Sequence, residues 1–143
     1  MKKISIMNIK GGVAKTTSTA NLGACLSQKG YKVLLIDLDP QSNLTKLFKT
    51  YSMEDLQISN VLLDKSLDIH KVIKKTDFEN IDIIPANINL IFTERNILVD
   101  NTRSQQNRLS KALSKVNEKY DYCLIDCPPS LNIITVNALC ASG

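Results

Sequence analysis

Four short, mainly apolar segments are the first pattern that the chain shows. They cover residues 4–9, 32–37, 81–84 and 122–126, and the core of the second, residues 33–36 (VLLI), lacks polar alternation. Continuous apolar runs of this length indicate strands buried on both faces, as in a parallel sheet covered by helices. Gly or Pro closely follows the first, third and fourth runs, where we predict that the strands end in turns.

Between these runs, apolar residues recur at helical spacing. The pattern predicts helices over residues 15–29, 103–119 and 133–141, and short helices and loops over 44–76. Gly30 follows the first helix where a left-handed C-terminal cap belongs. Thr102 and Gln105 have the spacing of a capping box for the second helix. Strands that alternate with helices predict one α/β domain over residues 1–143, with a mostly parallel sheet flanked by helices and ligands at the carboxyl ends of its strands.

Composition narrows the class of protein. The 143 residues are 43% hydrophobic, enough for one substantial core, and the net charge of +4 suits anionic ligands without identifying one. The four cysteines (Cys25, Cys123, Cys127 and Cys140) contain no C-x-x-C pair, so a zinc site has little support, and their apolar neighbours suggest buried, reduced thiols. No apolar stretch has the length of a signal sequence or a membrane span, and we therefore expect a cytoplasmic protein.

A glycine-rich segment joins the first strand to the first helix. It consists of Lys10, Gly11, Gly12, Val13, Ala14, Lys15, Thr16 and Thr17. Such a turn before a helix directs several backbone N–H groups at one point, which favours phosphate binding. Lys15 supplies a positive charge for the β and γ phosphates, and the Thr16 hydroxyl suits the accompanying magnesium. The standard pattern G-x-x-x-x-G-K-[ST] is not met, because Ile9 and Ala14 occupy its glycine positions.

Three aspartates lie at predicted strand ends. Asp37 and Asp39 alternate at the end of the second strand and so point the same way, and two carboxylates facing one site favour a cation. Asp126 ends the fourth strand in the form of a Walker B motif, in which we expect it to contact magnesium directly or through water. The adjacent Cys127 is better explained as a packed core thiol than as a metal ligand.

These motifs resemble those of a known family. Residues 10–17 resemble the deviant Walker motif K-G-G-x-x-K-[ST]-[ST] of the family that contains ParA, Soj, MinD and the nitrogenase iron protein, with Lys10 as its signature lysine. Residues 39–45 (DPQSNLT) look like the D-P-Q-x-N-x-T segment of ParA and Soj, and residues 84–87, 126–130 and 137–141 are similarly partition-like. The chain thus resembles ParA/Soj partition ATPases over nearly its whole length, least from 46 to 80.

The resemblance implies a P-loop NTPase fold of the SIMIBI class, with the strands in the order third, second, fourth, first. It implies ATP with Mg²⁺ as cofactors, an ATP-dependent homodimer, and slow hydrolysis that serves chromosome or plasmid partitioning. Asp37 would help to hold the waters of the magnesium, Asp39 would orient the attacking water, and Lys10 would reach the phosphates of the partner subunit. Family members continue beyond the segment that resembles residues 137–141, so the chain resembles a truncated, amino-terminal portion.

The partners that the resemblance implies are non-specific nucleoid DNA, contacted mainly through the missing part, and a ParB/Spo0J-like activator protein, with no membrane. A basic stripe on the helix predicted over 103–119 also invites a DNA contact, although we favour an ordinary solvated helix face. The stripe consists of Arg108, Lys111, Lys115 and Lys119.

Two other functions stay open. One is a MinD-like or cluster-carrier ATPase that acts on a membrane or a metal cofactor, against which Pro40, Gln41 and the lack of a cysteine pair count. The other is a non-catalytic interaction module derived from the same fold. The presence of Lys10, Lys15, Asp39 and Asp126 argues against lost chemistry, and nucleotide binding discriminates between an ATPase and such a module.

Overall fold

The computed structural model describes residues 1–7 and 15–142. The strands are β1 (Lys2–Ile6), β2 (Val33–Asp37), β3 (Lys74–Lys75), β4 (Ile81–Ile84) and β5 (Tyr122–Asp126). The α-helices are α1 (Lys15–Gln28), α2 (Asn43–Leu47), α3 (Ile58–Leu63), α4 (Thr93–Val99), α5 (Arg108–Ser114) and α6 (Ile133–Ala141). Short 3₁₀ helices cover Ile69–Lys71 and Ile88–Phe92.

The strands form one sheet in the order β1-β5-β2-β4-β3. The four longer strands run parallel, and the two-residue β3 pairs with β4 in the antiparallel sense. The predicted order of third, second, fourth and first strand is therefore confirmed, as is the mostly parallel sheet flanked by helices. The sequence does not predict β3, because a pair of lysines carries no apolar pattern.

Both faces of the sheet are covered. Leu34 and Ile36 of β2 belong to a core cluster on the side of α3, α4, α5 and α6, whereas Val33 and Leu35 belong to a second cluster on the side of α1 and α2. Helix α1 packs closely on this second face, since a Cβ added at Gly23 would lie 3.2 Å from Leu35 Cδ2. Burial on both faces explains why residues 33–36 of β2 form an unbroken apolar run.

The first helix ends as predicted. Gly30 has a φ of 90° and the Tyr31 N–H donates to the Leu26 carbonyl oxygen, which is the left-handed termination that glycine favours. The strand predicted over 4–9 is observed as Lys2–Ile6, and residues 8 and 9 of the predicted strand lie outside the described part of the chain.

The cysteines divide into two groups: Cys123 and Cys127 are buried, but Cys25 and Cys140 are exposed. The expectation of four buried thiols is therefore wrong for Cys25 and Cys140.

The helix predicted over 103–119 is shorter than expected, because α5 begins at Arg108 and ends at Ser114. The predicted capping box is wrong: Asp100 accepts hydrogen bonds from the Thr102 N–H and hydroxyl, and the Gln105 amide donates to backbone carbonyls of the same segment. These local bonds hold residues 100–105 in turns that compete with a helix. The Leu109 N–H finds its acceptor in the Asn137 side chain of α6 instead.

Arg108 does not belong to the solvated basic stripe. Only 1% of this residue is exposed. Its guanidinium donates to the carbonyl oxygens of Ser104 and Leu62 and pairs with Asp100 at 2.9 Å. The arginine therefore joins α5 to the end of α3, and the exposed lysines Lys111, Lys115 and Lys119 remain on the surface.

Candidate functional site

The predicted site residues meet at the carboxyl edge of the sheet. In the strand register, Asp126 at the end of β5 lies between Ile6 of β1 and Asp37 of β2. Helix α1 begins with Lys15 at this same edge. The predicted residues Lys10, Gly11, Gly12, Val13 and Ala14 lie outside the described residues.

Lys15, Thr16 and Asp126 form a compact polar group. The Thr16 hydroxyl donates to Asp126 Oδ2 at 2.7 Å, and Lys15 Nζ lies 3.5 Å from Asp126 Oδ1. The same ammonium lies 3.9 Å from Asp39 Oδ2, so it is placed between two carboxylates that come from different strands. Burial raises the pKa of Asp126, and the Thr16 hydrogen bond and the Lys15 charge oppose this shift.

Asp37 and Asp39 differ in their surroundings. Asp37 is fully buried: its Oδ2 accepts from the N–H and the hydroxyl of Thr45, and its Oδ1 accepts from the Asp39 N–H. Burial raises the pKa of Asp37 to about 7, although these hydrogen bonds favour the ionised form. Asp39 accepts from the Gln41 N–H through Oδ1, which leaves its Oδ2 on the side of Lys15.

Thr45 is a site residue to which the sequence assigns no role. Its hydroxyl donates to Asp37 Oδ2 at 2.7 Å and accepts from the Ala86 N–H at 2.9 Å. The side chain thereby joins the loop after β2 to the segment after β4, and it is completely buried. The sequence signal that could have found Thr45 is its place at the end of the DPQSNLT segment. Its bond with the Ala86 N–H could not be found in this way, because Ala86 is 41 residues further along the chain.

The donor set fits a magnesium ion that is bound together with phosphate. No group of three or more His, Cys, Asp or Glu side chains among the described residues is placed to hold a metal by itself. Asp126 Oδ1, however, is a buried oxygen without a hydrogen-bond partner in this part of the chain, and Oδ2 of the same carboxylate accepts from the Thr16 hydroxyl. Magnesium is commonly held by one or two carboxylate oxygens together with waters and substrate phosphates.

Within the described residues, no helix has the length and apolar character needed to cross a bilayer.

Known proteins with similar sequences carry names of partition proteins. The family model AAA_31, described as an AAA domain, matches residues 1–143. The sporulation initiation inhibitor protein Soj of Bacillus subtilis is 46% identical over 141 residues, which are 99% of this chain and 55% of that protein. The chromosome-partitioning ATPase Soj of Treponema pallidum is 39% identical, over 99% of this chain and 54% of its own length.

Solved structures are similar over the same residues. A cobyrinic acid a,c-diamide synthase from Mycobacterium smegmatis, with a bound ATP analog and magnesium, has a TM-score of 0.91 and 38% identity over 99% of this chain and 57% of its own. A putative plasmid partition protein from Borrelia burgdorferi bound to AMPPNP has a TM-score of 0.81 and 35% identity, over 99% and 59%. The chain spans a little over half the length of these relatives. The predicted P-loop NTPase fold and the resemblance to ParA/Soj partition ATPases are confirmed.

Proposed function

Because the chain belongs to the AAA_31 family, we propose that it binds ATP with Mg²⁺ and acts as a ParA/Soj-type switch in chromosome or plasmid partitioning. In this proposal, ATP binding favours a homodimer and slow hydrolysis ends that state. The observation that carries the proposal is the position of Lys15 between Asp39 and Asp126, with Thr16 bonded to Asp126, at the carboxyl edge of a parallel sheet. The Soj names of the relatives support partitioning as the process.

Nucleotide binding is assigned to residues 10–17. Backbone N–H groups at the amino terminus of α1 attract phosphate, and Lys15 adds a mobile positive charge within reach of the site. The Lys15 ammonium lies between two carboxylates, at 3.5 and 3.9 Å, distances that are long for hydrogen bonds. The ammonium can therefore leave these long contacts for a phosphate oxygen.

Thr16 and Asp126 are the residues that would hold magnesium, and Asp37 would accept hydrogen bonds from its waters. A carboxylate oxygen has two lone pairs, and Asp37 Oδ1 accepts one bond from the Asp39 N–H, so one acceptor position remains there. When bound, Mg²⁺ neutralises negative charge on the phosphate oxygens. Asp126 Oδ1 has no hydrogen-bond partner in the described part, and the ion would be a second positive charge beside it, in addition to Lys15 at 3.5 Å.

Hydrolysis is assigned to Asp39 and Lys10. The Gln41 N–H donates to Asp39 Oδ1 and leaves Oδ2 on the side of Lys15. There, Oδ2 can accept a hydrogen bond from the attacking water. Lys10 of one subunit would reach the phosphates of the other and offset charge that develops during transfer. This assignment comes from the resemblance, and it makes hydrolysis depend on the dimer. Non-specific DNA and a ParB-like activator are the proposed partners, by analogy with the partition relatives.

Titration of labelled ATP and GTP with Mg²⁺ tests the binding site. Lys15→Ala removes a charge-assisted phosphate contact, and we expect ATP affinity to fall by about tenfold or more. The control is Lys29→Ala, which removes an exposed lysine just beyond the other end of α1 and should leave affinity unchanged. Thermal melting of both variants verifies the fold. Equal ATP affinity in the two variants would contradict the assignment, and a wild-type protein without nucleotide affinity would favour the interaction module.

A further inference from the structure

A cleft between α3 and α5 lies away from the proposed nucleotide site. We call it the α3–α5 cleft; its volume is about 320 Å³, which is within the range of ligand pockets. Its floor is aliphatic and consists of Val61, Leu67, Ile69 and Ala112. Val61 and Ile69 are buried, so the floor belongs to the core beneath the sheet and is held firmly. A cavity of this size and lining accommodates one large apolar side chain.

The rim of the cleft is basic. It carries Lys65, Arg103, Lys111 and Lys115, of which the lysines are exposed. The one acid among the lining residues is Asp64, and the Ser66 N–H and hydroxyl already donate to its carboxylate. The rim therefore has an excess of positive charge over a surface that water solvates poorly.

Two arginines concentrate charge at one end of the cleft. Arg103 Nη2 and Arg108 Nη1 donate to the same Leu62 carbonyl oxygen, at 2.8 and 3.2 Å. Arg108 has a carboxylate partner in Asp100, whereas Arg103 has a carbonyl as its acceptor among the described residues. Burial and the neighbouring Arg108 lower the pKa of Arg103. The charges of Asp100 and Asp64 oppose this lowering of the Arg103 pKa, and an anion in the cleft would add a further negative charge beside Arg103.

The distribution of these charges selects the class of ligand. Lys111 lies in α5 and Lys115 caps its end one helical turn later, whereas Lys65 follows α3, so the lysines of the rim come from two elements and do not converge on one point. An extended polyanion matches this arrangement better than a single phosphate does. The described lining contains no aromatic ring on which a nucleic-acid base would stack, and its aliphatic floor suits a peptide side chain.

We propose that the α3–α5 cleft binds an acidic peptide segment of a partner protein, with one apolar side chain of that segment in the cavity. The acidic residues of the peptide pair with the lysines and Arg103 on the rim. Because the floor contributes through burial of apolar area and the rim through charge, both parts of the peptide are needed. None of the residues that line the cleft is assigned to the proposed nucleotide site.

Fluorescence anisotropy with synthetic peptides tests the proposal. The probe is a labelled peptide of glutamates with one central phenylalanine, and its partner replaces that phenylalanine by serine. We expect the phenylalanine peptide to bind at least about fivefold more tightly, because its aromatic side chain is removed from water on the aliphatic floor. The double variant Lys111→Glu with Lys115→Glu should weaken binding by about tenfold or more. Ala112→Leu, which fills part of the floor and keeps every charge, should weaken the phenylalanine peptide and spare the serine peptide.

The matched control is Lys29→Glu with Lys75→Glu, which makes the same change of net charge at exposed lysines outside the cleft. Retained binding by this control, together with loss in the cleft variant, supports the proposal. Equal weakening of peptide binding in both double variants would show that binding depends on the net charge of the protein, and it would overturn the proposal. Equal affinity for the two peptides would overturn the role of the floor, and displacement of the peptide by a labelled oligothymidine at lower concentration would show a nucleic-acid surface instead.

Discussion

Replacing Thr45 by valine isolates the hydroxyl that joins the ends of β2 and β4. Valine keeps the shape and the β-branch of threonine, so the main change is the loss of the bonds to Asp37 Oδ2 and from the Ala86 N–H. The site is fully buried, and water cannot replace the missing hydroxyl without a rearrangement. The Thr45 N–H still donates to Asp37, which limits the damage at the carboxylate.

The size of the effect follows from these two bonds. An orphaned buried N–H at Ala86 costs about 1–3 kcal/mol, and the lost bond to Asp37 contributes about 1 kcal/mol if the acid is neutral and about 1.5–3 if it is ionised. Because burial raises the pKa of Asp37 to about 7, both forms of the carboxyl are present near neutral pH. We therefore expect Thr45→Val to lower the free energy of unfolding by about 2–6 kcal/mol.

Urea unfolding followed by circular dichroism measures this loss, with Thr45→Ser as the control. Serine keeps the hydroxyl and removes one methyl group, so it should cost about 1 kcal/mol. ATP turnover in Thr45→Val should fall as well, while Thr45→Ser keeps it, because the same bonds position the loop that carries Asp39. A valine variant that is as stable as the serine variant would refute the reasoning, since the hydroxyl would then contribute nothing.

Two further predictions concern chemistry and acid stability. Lys10→Ala should keep ATP affinity and lose hydrolysis, whereas Asp39→Ala should accumulate ATP-bound dimers. Single-turnover assays and sizing chromatography test both variants. Wild-type turnover in either variant would contradict the role assigned to that residue. Hydrogen bonds from Thr102, and then from Arg108, hold the pKa of Asp100 at about 2. This pKa in the folded protein lies below the ordinary aspartate value of 3.8. Ionised Asp100 therefore stabilises the fold above about pH 4, and this contribution is lost as the pH falls through 2. Asp100→Asn should therefore be less stable than wild type at pH 7 and equal to it near pH 2 in urea unfolding; a difference that persists at pH 2 would contradict this account.

The sheet could be predicted because its signals are local. Each of the four longer strands contains a mainly apolar run of a few consecutive residues, and in β2, where every residue is buried, that run is continuous. The order of the strands came from the resemblance to ParA and Soj, and the register confirms it by placing Asp37 beside Asp126. The two-residue β3 has no such run, and it exists because its backbone completes the edge of β4.

The start of α5 could not be predicted, because its determinants are distributed along the chain. Leu109 receives its acceptor from Asn137 of α6, and Arg108 is buried only because Asp100 and the end of α3 meet its guanidinium. In the sequence, Arg108, Lys111 and Lys115 recur at helical spacing, and this pattern predicts that Arg108 is a solvated cation like the two lysines. Burial of an arginine needs partners from several segments, and periodicity along one helix carries no information about them.

The two acids of the DLD segment show where sequence reasoning about a site stops and geometry takes over. Alternation along β2 predicts that Asp37 and Asp39 face one site, but the backbone leaves the strand at Asp37, and the Asp39 N–H turns back to bond the Asp37 carboxylate. Asp37 then becomes a buried anchor with three hydrogen bonds, whereas Asp39 keeps an oxygen directed toward Lys15. Removing Asp37 should consequently act first on folding, and removing Asp39 on turnover, although both residues belong to the same motif.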